Sequence, residues 1–253
     1  MKRMSYIVAI RFFISQFFLC YNCLYMNMLA KKQLDIVTQK QKEMQDKFCA
    51  VSDDGQYIKY LGKDFIVYRN VFWPFEDSMP LVENYQINQG ESVLDICTGS
   101  GVIAIFSAYK GAKKIVALDS SEDAVRSAKE NAEQYGFEEI IDVRLSDMYE
   151  ALEEDEKFDV ITGNLPFRNM KAVDQVESTM WDTNLETQVA FFEGALKHLN
   201  PGGRIYLSQA NFGAVDEMKR MAEESGFDVK LIGQKIMPSD PREFYAFELT
   251  KKW

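Results

Sequence analysis

"VLDICTGSGVIAI" (93–105) joins an apolar run to a turn punctuated by two glycines, then to a second apolar run. The pattern reads as a buried strand over 92–97 and a helix over 101–110. Gly99 and Gly101 allow a tight turn and close approach of a ligand to the backbone. The helix start behind them offers N–H groups that have no intrahelical partner. The next strand, "KIVALD" (114–119), ends in Asp119, eighteen residues after Gly101. A carboxylate at that place can accept two hydrogen bonds from ribose hydroxyls.

The alternation continues outward from this unit. "SEDAVRSAKENAEQYG" (121–136) reads as a helix closed by a C-terminal glycine. "IIDVRLSD" (140–147) and "FDVITGN" (158–164) read as strands. "LETQVAFFEGALKHL" (185–199) is a helix stopped by "NPGG", followed by a strand (204–210), a helix (214–225) and a closing strand pair over 227–236 and 243–251. The expected fold is α/β: a Rossmann-like, seven-stranded, mostly parallel sheet with a closing antiparallel strand and helices on both faces. Upstream, "AKKQLDIVTQKQKEMQDKF" (30–48) has helical spacing, with Leu34, Val37, Gln41 and Met44 on one face. Residues 55–72 read as a β-hairpin around Gly62, and 76–86 as a further helix. Three regions are expected: an apolar extension (1–28), a helix, hairpin and cofactor-covering segment (29–90), and the main domain (91–253).

The 253 residues suit one α/β domain with an extension. Residues 1–48 hold 8 Lys and Arg against 3 Asp and Glu, or +5, while the remainder holds 21 against 36, or −15, for a net −10. That body has no electrostatic footprint for long phosphate tracts. Cys20 and Cys23 form a C-x-x-C pair, but zinc needs about four ligands and the only histidine is His198. Reduced thiols, no metal and a cytoplasmic location are expected. "SYIVAIRFFISQFFLCYNCLYMNML" (5–29) is mostly apolar. It reads as a membrane anchor, a signal sequence, or a reading frame begun too early, with the true start at Met26 or Met28. Arg11 inside the run and the lack of an A-x-A cleavage site favour the last.

Two enzyme classes use a glycine loop followed by an acidic strand end. Gly99-Ser-Gly101-Val-Ile-Ala104 fits the G-x-G-x-x-A of nicotinamide-dependent oxidoreductases. Asp95, inside the strand where dinucleotide folds keep apolar residues, favours the other class. "VLDICTGSGVIAI" resembles motif I of the class I S-adenosylmethionine-dependent methyltransferases, "ALDSS" their following acidic motif, and "LSDMYE" (145–150) their adenine-binding turn. The resemblance implies cofactor contacts from Asp95, Thr98, Gly99, Ser100, Gly101, Asp119, Ser120, Asp147, Met148 and Asn164. Asp95 would face the methionine ammonium, Asp119 the ribose, Asp147 the exocyclic amine, and the Met148 backbone a ring nitrogen.

"GNLPF" (163–167) ends the strand beside the glycine loop. It resembles the (D/N)-P-P-(Y/F/W) motif of methyltransferases that act on planar –NH2 groups, with Leu165 where the family usually has proline. The resemblance makes Asn164, Leu165, Pro166 and Phe167 the catalytic set. The Asn164 oxygen and the Leu165 carbonyl would accept the two N–H bonds, and Phe167 would stack on the flat group. Pro166 restricts the backbone that aims them. No prior deprotonation is required, because a sulfonium methyl is already a strong electrophile and positioning supplies most of the rate. "NVFWPFEDSMPLVE" (70–83), through Pro74, Glu76, Asp77, Ser78 and Leu81, resembles the segment before motif I in release-factor glutamine methyltransferases and the methyltransferase small domain group. Asp77 and Ser78 would open a helix over the cofactor. A protein glutamine is the expected acceptor. Nucleic-acid amino groups, small molecules and, from another class, nicotinamide-dependent oxidation are the alternatives. The stretch 168–184 matches no motif and is expected to form a substrate lid, with Trp181 and Asp182 as candidate contacts.

Overall fold

The computed structural model describes residues 29–238 and 240–251. The apolar run, apart from Leu29, lies outside them, as do Cys20 and Cys23. Strands are β1 (Gln56–Tyr60), β2 (Lys63–Val67), β3 (Ser92–Ile96), β4 (Lys114–Asp119), β5 (Ile141–Leu145), β6 (Phe158–Gly163), β7 (Leu199–Ala210), β8 (Phe227–Ile236) and β9 (Glu243–Lys251). Helices are α1 (Lys31–Cys49), α2 (Met79–Asn84), α3 (Val102–Tyr109), α4 (Glu122–Gln134), α5 (Gln175–Ser178), α6 (Glu186–His198) and α7 (Val215–Glu224).

The main sheet has seven strands in the order β5-β4-β3-β6-β7-β9-β8. Its β3, β4, β5, β6 and β7 pair in parallel, and β9 runs antiparallel to both β7 and β8. All five residues of β3 are buried, as expected of a parallel strand covered on both faces. One core layer packs Val93, Ile105, Ile115 and Ala128 against one face, and the other packs Leu94, Val116, Phe191 and Phe247 against the opposite face. The sheet order reverses at β3, which sends β4 to one side while β6 lies on the other. The carboxyl ends of the strands at such a switch point form a ligand crevice.

Several boundaries differ from the expected ones. The helix expected over 76–86 is confined to Met79–Asn84, with Pro80 tolerated in its first turn. The strand expected over 140–147 ends at Leu145, freeing Ser146–Met148 to turn. The "NPGG" stretch ends α6 but then lies inside β7, where the pairing with β6 shifts register between Phe158 and Val160.

The N-terminal segments are pinned to this sheet by side chains. The β1–β2 hairpin hangs on α4 through Asn131, which is fully buried. Its Oδ1 accepts from the Ile66 N–H at 2.8 Å. Its Nδ2 donates to the carbonyls of Ile66 and Ser100 at 2.8 and 2.9 Å. One amide thus satisfies the open edge of β2 and steadies the glycine loop. Helix α1 packs Val37 onto Phe167, Phe212 and Phe244, and Phe48 onto Met180 and Trp181. Val37, Gln41, Gln45 and Phe48 are its buried residues, while Leu34 and Met44 are half-buried. Among the described residues, no helix is long and apolar enough to cross a membrane.

Candidate active site

The ends of β3, β4, β5 and β6 surround a cavity of about 470 Å³, within the range of small-molecule sites. Its floor is the turn after β3. Gly99 and Gly101 both have left-handed backbones, with φ +56° and +81°, which favour glycine. Their roles differ. A Cβ on Gly101 would come 3.1 Å from Ala128, so this glycine lets the loop pack on α4. A Cβ on Gly99 would meet nothing within 4 Å, so this glycine leaves backbone open toward the cavity.

Asp119 anchors that loop. Its two oxygens accept the Gly99 N–H at 2.9 Å and the Ser121 N–H at 3.0 Å. Burial pushes its carboxyl up, and these N–H groups hold it down. Asp119 and Ser120 both line the cavity. Across from them, Asp147 is exposed and Met148 adopts φ 44°. The Ser146 hydroxyl steadies that turn by donating to the Met148 carbonyl at 2.9 Å and accepting the Ala151 N–H at 3.0 Å.

Asp95 stands elsewhere. It is 1% exposed and sits beneath the loop rather than among the cavity-lining residues. Its oxygens accept the Thr98 and Thr162 hydroxyls at 2.6 and 2.7 Å. Burial pushes its carboxyl up to about 6, against the pull of those two hydroxyls. Thr98 lines the cavity with Ser100, so Asp95 reaches the cavity side through Thr98. Cys97, also on the wall, has its thiol pushed well up by burial and then by Asp119 and Asp95, which keeps it neutral.

A second cavity of about 20 Å³ adjoins the first. Phe72, Asn164, Pro166 and Thr179 border both, and Asp77, Leu165, Phe167 and Arg242 border the smaller. Asn164 is thus at the junction. Its Nδ2 donates to Asp77 Oδ2 at 2.6 Å, and its Oδ1 is buried without a partner among the described residues. A carboxylate can only accept, so the amide must turn its NH2 to Asp77 and its oxygen away from it. Phe167 does not line the large cavity. It is 8% exposed and packs on Phe212 with ring centroids 5.7 Å apart.

Ser78 does not cap α2 with its side chain. Its hydroxyl pairs with the Tyr60 phenol at 2.9 Å. Of the 168–184 stretch, Gln175, Ser178 and Thr179 border the large cavity, so part of it covers the crevice. Its two candidate contacts are committed to structure. Trp181 is 3% exposed and donates Nε1–H to Gln41 Oε1 at 3.1 Å. Asp182 accepts the Thr187 and Gln188 N–H groups at 2.9 and 3.1 Å, capping α6. Arg168 also binds Gln41, with a second bond to the Thr38 hydroxyl at 2.7 Å, locking α1 over this segment.

Within the segment expected to cover the cofactor, motif reading did not single out Asn70, Val71 and Phe72, which line the large cavity, and it missed the α6 wall of Thr187 and Ala190. It also missed the Asp77–Asn164 pair, whose only sequence signal is an acidic residue in a segment read as a helix start. Among the described residues, no group of three or more His, Cys, Asp or Glu could hold a metal ion.

The donor set fits a nucleoside-bearing sulfonium cofactor. It offers open backbone over Gly99, a carboxylate at the end of β4, and a polar turn at Asp147–Met148. A family model described as "Methyltransferase small domain" matches residues 76–230. A release factor glutamine methyltransferase from Clostridium acetobutylicum is 28% identical over 218 residues, covering 78% of this chain and 73% of that one. A Methanocaldococcus jannaschii protein, named as a candidate protein N5-glutamine methyltransferase, is 30% identical over 187 residues, covering 72% and 93%. A solved 16S rRNA N2 methyltransferase from T. thermophilus, in complex with AdoMet and guanosine, shares the fold at a TM-score of 0.58. It is 22% identical, over 78% of this chain and 50% of that one.

Proposed function

The chain belongs to the methyltransferase small domain family of S-adenosylmethionine-dependent enzymes, and on that premise we propose that it methylates a planar –NH2 nitrogen, that of a protein glutamine. The observation that carries this reading is the Asn164 oxygen, buried and unpartnered where the two cavities meet. A buried acceptor left open costs free energy unless a donor fills it. An amide –NH2 is such a donor, and its nitrogen would then lie against the larger cavity.

In this reading Gly99, Asp119 and Ser120 hold the ribose end of the cofactor, with Gly101 packing their loop on α4; Asp147 and Met148 hold the adenine, and Thr98 and Ser100 the methionine end, with Asp95 acting through Thr98 rather than in direct contact. When bound, the cofactor supplies an electrophilic methyl group. The protein's share is orientation. The Asn164 oxygen accepts from the acceptor nitrogen, Pro166 stiffens the backbone that carries it, and Phe167 forms an aromatic wall of the smaller cavity. The names of the two glutamine methyltransferase relatives support a glutamine acceptor, and the −15 body weighs against nucleic acid.

The test uses isotopically labelled S-adenosylmethionine with cell lysate, resolved into protein, RNA and small-molecule fractions. Label should enter protein and be recovered as side-chain N-methylglutamine. Label confined to RNA or to small molecules would overturn the glutamine assignment.

A further inference from the structure

Asp77 is 1% exposed, and only one of its oxygens has a side-chain partner. Asn164 Nδ2–H occupies Oδ2, while Oδ1 is buried without a partner among the described residues. The backbone N–H groups of Asp77 and Ser78 also steady the carboxylate, but the Ser78 hydroxyl serves Tyr60 and the Phe75 carbonyl, and Oδ1 keeps no partner among the described residues. Two unpartnered acceptors, Asn164 Oδ1 and Asp77 Oδ1, therefore belong to side chains bonded to each other and bordering the same small cavity. A neutral –NH2 group brings two N–H donors, the number needed to satisfy both.

We propose that Asp77 is a further catalytic residue, whose free oxygen binds one N–H of the acceptor and takes that proton during methyl transfer. This rests on the planar –NH2 reading above. The acceptor nitrogen uses its lone pair to form the new N–C bond while the C–S bond breaks with its electron pair left on sulfur. The nitrogen would then carry a positive charge. Passing its proton to Asp77 leaves a neutral N-methyl amide, a neutral thioether and a protonated carboxyl. No other reactant is needed. Asn164 holds the carboxyl in place and accepts the second N–H.

Burial, the largest cause, pushes the Asp77 carboxyl up to about 7, and the Asn164 bond restrains the rise. A base with a pKa near the working pH is suited to proton transfer. The groups that surround Asp77 are few. Glu76 adjoins it in the chain and pushes it further up, and the Tyr60 phenol faces it from β1 with its own pKa raised by burial. Arg242 borders the same small cavity, but its guanidinium is tied to Asp240 at 2.8–3.1 Å.

The test compares wild type, Asp77→Asn and Asp77→Glu in the labelled-cofactor lysate assay, reading initial rate against pH. Calorimetry with S-adenosylhomocysteine confirms that each variant keeps its cofactor site. Wild-type rate should rise with pH, with a midpoint near the raised value of Asp77. Asp77→Asn should lose about 10²–10⁴-fold, the scale of general-base catalysis, and its residual rate should lack that rise. Asp77→Glu should keep a pH-dependent rise. Near wild-type turnover in Asp77→Asn, or a residual rate with the wild-type pH midpoint, would overturn the proposal. The comparison is made in whichever fraction takes the label, so an RNA acceptor would sink the glutamine reading and still decide the role of Asp77.

Discussion

The two halves of the crevice are built by different means. On the side proposed for the cofactor, Gly99, Asp119 and Met148 lie at the ends of successive parallel strands, and each hydrogen bond that steadies them joins a side chain to a nearby backbone group. On the side proposed for the acceptor, side chains from distant segments meet: Asp77 with Asn164, Gln41 with Arg168 and Trp181. A backbone cradle tolerates changes in its outward side chains, whereas a side-chain constellation depends on every partner. Mutations on the acceptor side should therefore change turnover without touching cofactor affinity, and mutations on the cofactor side should do the reverse.

Asn164→Ala puts the largest strain on that division. It removes both the junction acceptor and the bond that holds Asp77. Turnover should fall by about 10²–10³-fold, as for loss of a preorganised polar group, with S-adenosylhomocysteine affinity nearly intact by calorimetry. If affinity falls as steeply as turnover, the two sides are one site and the division is wrong.

Asp119→Ala is the mirror experiment. Its carboxylate is both the expected ribose partner and the acceptor of two loop N–H groups. Cofactor binding should weaken by about 1.5–3 kcal/mol, the value of hydrogen bonds to a charged group. Unchanged affinity would mean that the cofactor does not use the end of β4.

Gln41→Ala tests whether α1 belongs to the acceptor side. It leaves the Arg168 and Trp181 donors without their shared acceptor. Thermal or denaturant unfolding should show a loss of about 1–3 kcal/mol, the cost of unsatisfied buried donors, with cofactor affinity unchanged. A fall in cofactor affinity would join α1 to the cofactor side instead.

A further test reads pH dependence. Asp77 has a folded pKa of about 7, above its ordinary carboxylate value of 3.8. The folded state therefore holds this proton more tightly than the unfolded state. Stability from this group is full below the ordinary value and is lost as pH rises toward 7. Asp95, raised to about 6, acts in the same direction over a narrower window. The melting temperature of the cofactor-free protein should fall across that range, and Asp77→Asn should flatten the slope. An unchanged slope in the variant would show that Asp77 is not the titrating group.

Much of this was legible in the sequence because it is local. The strand–turn–helix unit over 93–105 and the acidic end of "KIVALD" follow from short-range periodicity and from backbone conformations that favour glycine. The seven strands read from the pattern are the seven that form the sheet, closing strand included. Short-range signals fail where contacts are remote. Asp182, read as a candidate substrate contact, is instead held by α6, and Trp181, for which a packing role is the favoured reading, packs under α1. Phe167 lies against Phe212 and α1 rather than in the large cavity.

The sequence by itself determined the α/β class, the glycine turn and the positions of the acids at the strand ends. Each depends on residues within one turn or one strand of each other. Only the tertiary structure decided that Asp77 meets Asn164 across 87 positions of chain, that Asp95 lies under the loop behind Thr98, and that one Asn131 amide joins the hairpin to the glycine loop. The physical reason is that a buried polar atom takes its partner from whatever packing brings within about 3 Å. No periodicity in the chain records which remote segment that will be.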